Sequence, residues 1–166
     1  MSGQLAPPFS LKTAGGRTVT LSEFRGRRVI LYFYPKDDTP GCTKEACGFQ
    51  AALQRLGHER AVVLGVSRDS LASHERFADK FCLTFPLLSD PDAAVAKAYG
   101  VYKQKSLYGR TYWGIERTTF LIDERGRIAA VFPKVRVDGH TEAVLQALRQ
   151  PGGGATSLAQ PAAARG

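Results

Sequence analysis

Two hydrophobic rhythms alternate along the chain. Arg28–Tyr34 (RVILYFY) is a compact β-branched and aromatic run that stops at Pro35, and Ala61–Ser67 (AVVLGVS) repeats the pattern; both predict buried strands. Between them, Thr43–Leu56 sets Ala46, Phe49, Leu53 and Leu56 at helical spacing, with Gly57 suited to end the helix. A second amphipathic helix is predicted over Ser70–Phe81, then a short apolar stretch, Thr84–Leu88, and a helix from Asp92 as its cap to about Tyr99. Thr118–Ile122 and Ile128–Phe132 flank the turn-rich Asp123–Arg127 and predict a hairpin, and Thr141–Leu148 predicts a last helix. Near the start, Phe9–Leu21, split by Ala14–Arg17, fits a small added hairpin.

Strands and helices in this order predict an α/β fold, one mixed sheet with helices on both faces. A length of 166 residues suits one domain, expected over residues 1–150. Residues 151–166 (PGGGATSLAQPAAARG) hold too little apolar surface to offset ordering entropy and are expected to form a flexible tail. No apolar run approaches the roughly 18 residues that span a bilayer, so no membrane association is expected. The net charge of +8 admits anionic partners without dictating one.

The chemistry lies in the cysteines. Three of them, Cys42, Cys47 and Cys82, are too few and of the wrong parity for a secreted disulfide framework. Met1–Phe9 has no basic stretch leading into an apolar one, so a reducing, cytoplasmic setting is expected, where thiols serve chemistry more often than stapling. The segment PKDDTPGCTKEAC, Pro35–Cys47, puts Cys42 at a predicted helix start, where free N–H groups and the helix dipole favour a thiolate, the reactive form. Thr39 stands three residues upstream, within reach to curl its hydroxyl onto the sulfur, and Pro35 and Pro40 stiffen the loop.

Cys47 follows at i+5. On an intact helix that spacing separates Cα atoms by roughly 8 to 9 Å, whereas a disulfide requires less than about 7 Å. A Cys42–Cys47 bond therefore needs the first helical turns to unwind. Metal binding is not expected, since C-x4-C is not a zinc-knuckle spacing and His58, His74 and His140 form no ligand-spaced cluster. No cofactor is expected either. Cys82, sharing a helical face with Leu71 and Ala78, is read as a packing residue.

Residues 35–49, PKDDTPGCTKEACGF, closely resemble the active-site signature of the peroxiredoxins, in the bacterioferritin comigratory protein or peroxiredoxin Q subfamily, and the similarity extends over about Leu5–Leu148. The resemblance implies a thioredoxin-like fold and a thiol peroxidase acting on hydrogen peroxide and organic hydroperoxides. In that reading Cys42 is the peroxidatic cysteine, Cys47 the resolving one, and Pro35 and Thr39 the other members of P-x3-T-x2-C. Arg117, in Glu116–Phe120 (ERTTF), matches the family's arginine at the entrance to a late strand. Thioredoxin or an equivalent dithiol is the implied reductant, and a monomer the implied state.

Sequence features bear on two rival functions. Tyr102–Arg117 interleaves Lys103, Lys105, Arg110 and Arg117 with Tyr102, Tyr108, Tyr112 and Trp113, the mixture a nucleic-acid surface uses. The cations are spread over the stretch without a nucleic-acid motif, so a solvated loop bordering the active site is expected and no specific nucleic acid. A thioredoxin-like disulfide reductase would pair its thiols as C-x2-C, which this chain lacks.

Overall fold

In the computed structural model, residues 3–150 are described. The predicted tail, 151–166, lies outside them. The first strands, β1 (Ser10–Thr13) and β2 (Thr18–Thr20), form the expected N-terminal hairpin, and a 3-10 turn follows at Leu21–Phe24. Then come β3 (Arg28–Phe33), α1 (Pro40–Ala51), α2 (Leu53–His58), β4 (Ala61–Ser67), α3 (Leu71–Phe81), β5 (Leu87–Ser89) and α4 (Ala94–Ala98). The chain continues through β6 (Tyr102–Leu107), β7 (Arg110–Ile115), β8 (Thr118–Ile122), β9 (Ile128–Phe132) and α5 (His140–Arg149).

Seven strands form one mixed sheet in the order β2-β1-β5-β4-β3-β8-β9. β3 is parallel to β4 on one edge and antiparallel to β8 on the other, and a hydrophobic cluster packs on each of its faces, which is why its sequence reads as an unbroken apolar run. Alternate β3 side chains feed two cores. Ile30, Tyr32 and Tyr34 pack with Ala46 and Phe49 of α1, Phe77 of α3 and Val144 of α5, while Val29, Leu31 and Phe33 pack with Ala96 of α4, Tyr99 and Phe120. The crevice beyond the C-terminal end of β3, where the chain's path through the sheet reverses, is where α/β sheets place ligands.

Three local expectations are corrected. The helix predicted over Thr43–Leu56 begins earlier, at Pro40, and breaks into α1 and α2 at Ala52, with Gly57 inside the second. α4 takes its main cap from Asp90, whose two carboxylate oxygens accept from Val95 and Ala96 N–H, while Asp92 accepts only from Ala94 N–H. The aromatic and basic stretch expected as a solvated loop is the β6–β7 hairpin, a two-stranded sheet of its own. Its strands alternate too many Lys, Gln and Ser residues to register as buried strands, since the hairpin leaves both faces largely exposed.

Candidate active site

Local chemistry explains the start of α1. Thr39 has extended backbone angles (φ −102°, ψ 156°) and Pro40 occupies the first helical position, where its missing N–H costs nothing. The first bond of the helix runs from Thr43 N–H to the Thr39 carbonyl at 2.8 Å. The N–H groups of Gly41 and Cys42 precede it, so helix geometry leaves them without a carbonyl partner in the helix. Cys42 is thereby buried, 1% exposed, at the positive end of a twelve-residue helix beyond β3.

Arg117, between β7 and β8, reaches this sulfur. Its Nη2 donates to Cys42 Sγ at 3.4 Å and its Nη1 to Glu45 Oε1 at 2.6 Å. Burial works against the guanidinium charge, but Glu45 and Cys42 outweigh it and push the arginine above its ordinary value, so it stays charged. Gly41 permits the approach: a Cβ there would stand 3.2 Å from Arg117 Nη2. The Arg117 carbonyl also accepts from Val135 N–H at 2.9 Å, fixing the strand entrance.

Sequence reading missed Glu45. It stands three residues after Cys42 on the same helical face and is 2% exposed, so Arg117 bridges both side chains. Burial raises its carboxyl to about 7 even though Arg117 opposes the shift, and its Oε2 has no protein partner among the described residues. The available signal was a charged residue at i+3 from a cysteine on a helix whose other face had to be apolar. Beneath the site, Tyr32 packs its ring on Phe49, and its hydroxyl, also without a protein partner, is raised well above its usual range by burial first and then by Glu45 and Cys42.

The remaining predicted residues lie as follows. Pro35 and Thr39 flank the loop between β3 and α1; Pro35 is exposed, and the Thr39 hydroxyl donates to the Lys36 carbonyl at 2.8 Å. That bond ties the loop to itself and leaves the hydroxyl's lone pairs open. Cys47 is partly buried on the same uninterrupted α1, and all three thiols are free. Cys82 overturns the packing expectation: it is exposed and caps α3 in the left-handed region (φ 56°), where the chain has left the helical face that would have buried it.

Among the described residues one group has a metal-like arrangement, Asp37, Asp69 and His74, with ligand atoms within 4.8 Å of one another. Their atoms are already engaged. His74 Nδ1 lies 2.7 Å from Asp37 Oδ2, and Asp69 Oδ2 accepts from Asp37 N–H at 2.8 Å and from the Ser67 hydroxyl at 2.7 Å. No helix among the described residues is long and apolar enough to cross a membrane.

A family model described as the AhpC/TSA family matches residues 2–131. Peroxiredoxin Bcp of Bacillus subtilis is 46% identical over 147 residues, 89% of this chain and 94% of its own. Peroxiredoxin Bcp of Escherichia coli is 44% identical over 149 residues, covering 90% and 96%. Among solved structures, the bacterioferritin comigratory protein of Xanthomonas campestris, described for its alkyl peroxide reduction activity, superposes with a TM-score of 0.82 at 45% identity, over 85% of this chain and 90% of that one.

Proposed function

The chain belongs to the peroxiredoxins of the AhpC/TSA family, in their Bcp or peroxiredoxin Q branch, and on that premise we propose that Cys42 attacks the peroxide and Cys47 resolves the product. It is a thiol-dependent peroxidase with a thioredoxin-like fold. The observation that carries the assignment of Cys42 is the donation from Arg117 Nη2 to its buried sulfur at a helix start.

The chemistry proceeds from those positions. The Cys42 thiolate attacks the terminal oxygen of a hydroperoxide in line; the S–O bond forms as the O–O bond breaks, and water or an alcohol leaves. Arg117 and the Cys42 N–H donate to the oxygens as negative charge develops on them, and the Thr39 hydroxyl orients the peroxide. Pro35 and Pro40 hold the loop in shape. Cys42, now a sulfenic acid, leaves its pocket as the first turns of α1 unwind. Cys47 condenses with it, releasing water and forming an intramolecular disulfide, and an external dithiol returns both thiols by exchange.

Hydrogen peroxide and organic hydroperoxides are the proposed substrates, the latter supported by the alkyl peroxide reduction of the Xanthomonas relative. Thioredoxin or a similar dithiol is the proposed reductant, in a reducing cytoplasm that suits three free thiols, with the chain acting as a monomer. Residues 1–150 form the catalytic domain in this reading.

The test is thioredoxin-coupled turnover of several hydroperoxides by wild type, Cys42→Ser, Cys47→Ser and Cys82→Ser, with mass mapping of the oxidised protein. Cys42→Ser should abolish turnover. Cys47→Ser should keep one round of peroxide consumption and lose the Cys42–Cys47 bridge, while Cys82→Ser should match wild type. A Cys42–Cys82 bridge in place of Cys42–Cys47 would reassign the resolving thiol.

A further inference from the structure

Asp37 is the residue of the loop before Cys42 that turns inward. Its neighbours Pro35, Lys36 and Asp38 are exposed, yet Asp37 is 6% exposed and every polar atom of its carboxylate is engaged. Oδ1 accepts from the Tyr34 hydroxyl at 2.6 Å; Oδ2 accepts from the Ser73 hydroxyl at 2.8 Å and faces His74 Nδ1 at 2.7 Å. The Asp37 N–H donates to Asp69 Oδ2 at 2.8 Å. One loop residue is thus held from the end of β3, from α3 and from the end of β4, and the peroxidase mechanism above uses none of these contacts.

His74 fixes the proton count of the cluster. Its other ring nitrogen, Nε2, lies 3.0 Å from the Leu88 carbonyl, which only accepts, so Nε2 carries a hydrogen. Nδ1 faces a carboxylate, so a second proton lies between the two side chains. The pair is an imidazolium against a carboxylate, buried at 0% and 3% side-chain exposure. Burial alone would push the Asp37 carboxyl up, but the hydrogen bonds from His74, Tyr34 and Ser73 and the His74 charge overcome it and hold it below its usual range. A buried pair of this kind costs desolvation and repays it only when the surrounding hydrogen bonds are complete, as they are here.

We propose that the Asp37–His74 pair is a clasp that positions the Cys42 loop in its closed, peroxide-ready form and resists the unwinding of α1 that brings Cys42 to Cys47. Both are positioning residues acting through the loop. The proposal rests on the reading of Cys42 as attacking and Cys47 as resolving thiol. The clasp stands five residues before Cys42 and two before Thr39, whose carbonyl takes the first helical hydrogen bond, so its integrity sets where the helix can start. Loosening it frees the helix start in both directions of the cycle: the thiolate is less often in place for peroxide, and the sulfenic acid reaches Cys47 sooner.

The experiment separates the two steps by stopped flow. Peroxide oxidation of Cys42 is followed in Cys47→Ser, and disulfide formation in protein with both cysteines. His74→Leu should slow the first step and speed the second, each by about tenfold, the effect of losing one charge-assisted hydrogen bond. Asp37→Asn keeps the shape, because an amide can donate to a neutral His74, but not the charge, and should shift both rates in the same directions as His74→Leu but by less.

A pH profile gives the second readout. The titratable groups facing the pair are Tyr34, on the segment leaving β3, and Asp69, at the end of β4, and both are retained in every variant. As pH falls and the Asp37 carboxylate, held below its usual range in the clasp, takes up a proton, the ratio of the second rate to the first should climb in wild type relative to Asp37→Asn. His74→Leu slowing both steps together, or lowering only the melting temperature with the ratio unchanged, would overturn the clasp. Equal pH profiles in wild type and Asp37→Asn would overturn it as well. Failure of the underlying reading is distinct: peroxide consumption would then survive Cys42→Ser.

Discussion

Arg117 Nη2 stands 3.4 Å from Cys42 Sγ, although 75 residues separate them in the chain. The contact exists because α1 starts beyond the C-terminal end of β3 and β8 pairs beside β3, with Phe33 opposite Thr118, so the residue preceding β8 arrives at the same crevice. Replacing Arg117 with Lys keeps a charge but loses the planar fork that bridges Cys42 and Glu45. The expected outcome is a fall of roughly 10² to 10³ in the rate of peroxide reaction, measured by stopped flow. An unchanged rate would remove Arg117 from the site.

Glu45 makes stability depend on pH. Its carboxyl is raised from 4.5 to about 7, first by burial and in spite of Arg117. A carboxyl raised on folding keeps its proton in the folded chain while the unfolded chain has lost it. Its contribution is therefore full below 4.5 and is lost as pH rises toward about 7. Urea unfolding across that window should show wild type falling relative to Glu45→Gln by up to about 1.4 kcal/mol per pH unit. Parallel curves would place the shift elsewhere.

His140 acts at the acid end. Burial, joined by the charge of Arg117, lowers its ring from 6.5 to about 3, and Nε2 lies 2.8 Å from the Thr119 hydroxyl. A base lowered on folding stays neutral while the unfolded chain takes up a proton. The contribution is full above 6.5 and is lost as pH falls toward about 3. Wild type should lose stability across this interval by up to about 1.4 kcal/mol per pH unit more than His140→Asn, even though the variant begins lower for want of ring packing on Phe49 and Phe132.

Gly48 lets α1 lie close to α5. A Cβ at Gly48 would come 2.7 Å from Thr141 Oγ1, nearer than van der Waals contact allows. Gly48→Ala should therefore destabilise the protein by about 1 to 3 kcal/mol despite the better helix propensity of alanine. Adding Thr141→Ala should recover most of that loss, a coupling read from a double-mutant cycle of denaturation midpoints. Additive effects would mean the helices separate without strain.

The strands β3, β4, β8 and β9, helix α3 and the Cys42 loop were legible along the chain because each carries its own local signal. Such signals include an apolar run ended by Pro35, a helical stripe begun by Ser70, and Pro-Gly before a cysteine. The β6–β7 hairpin was not legible, because strands exposed on both faces carry no hydrophobic alternation. Cys82 was misplaced for a related reason. Its spacing continues the stripe of α3, but the backbone turns left-handed at that residue and takes the thiol to the surface.

From the sequence alone followed the α/β order, the thiol at a helix start, and the i+5 partner that cannot bond without unwinding, since all three depend on neighbours within a turn or two. The tertiary structure decided which distant groups meet that thiol. Glu45 became half of a buried pair only when β8 brought Arg117 alongside, and Asp37 turned inward only because α3 carries His74 against it. Charges separated by dozens of residues leave no periodic trace; their pairing comes from sheet order and from the cost of burying either one alone.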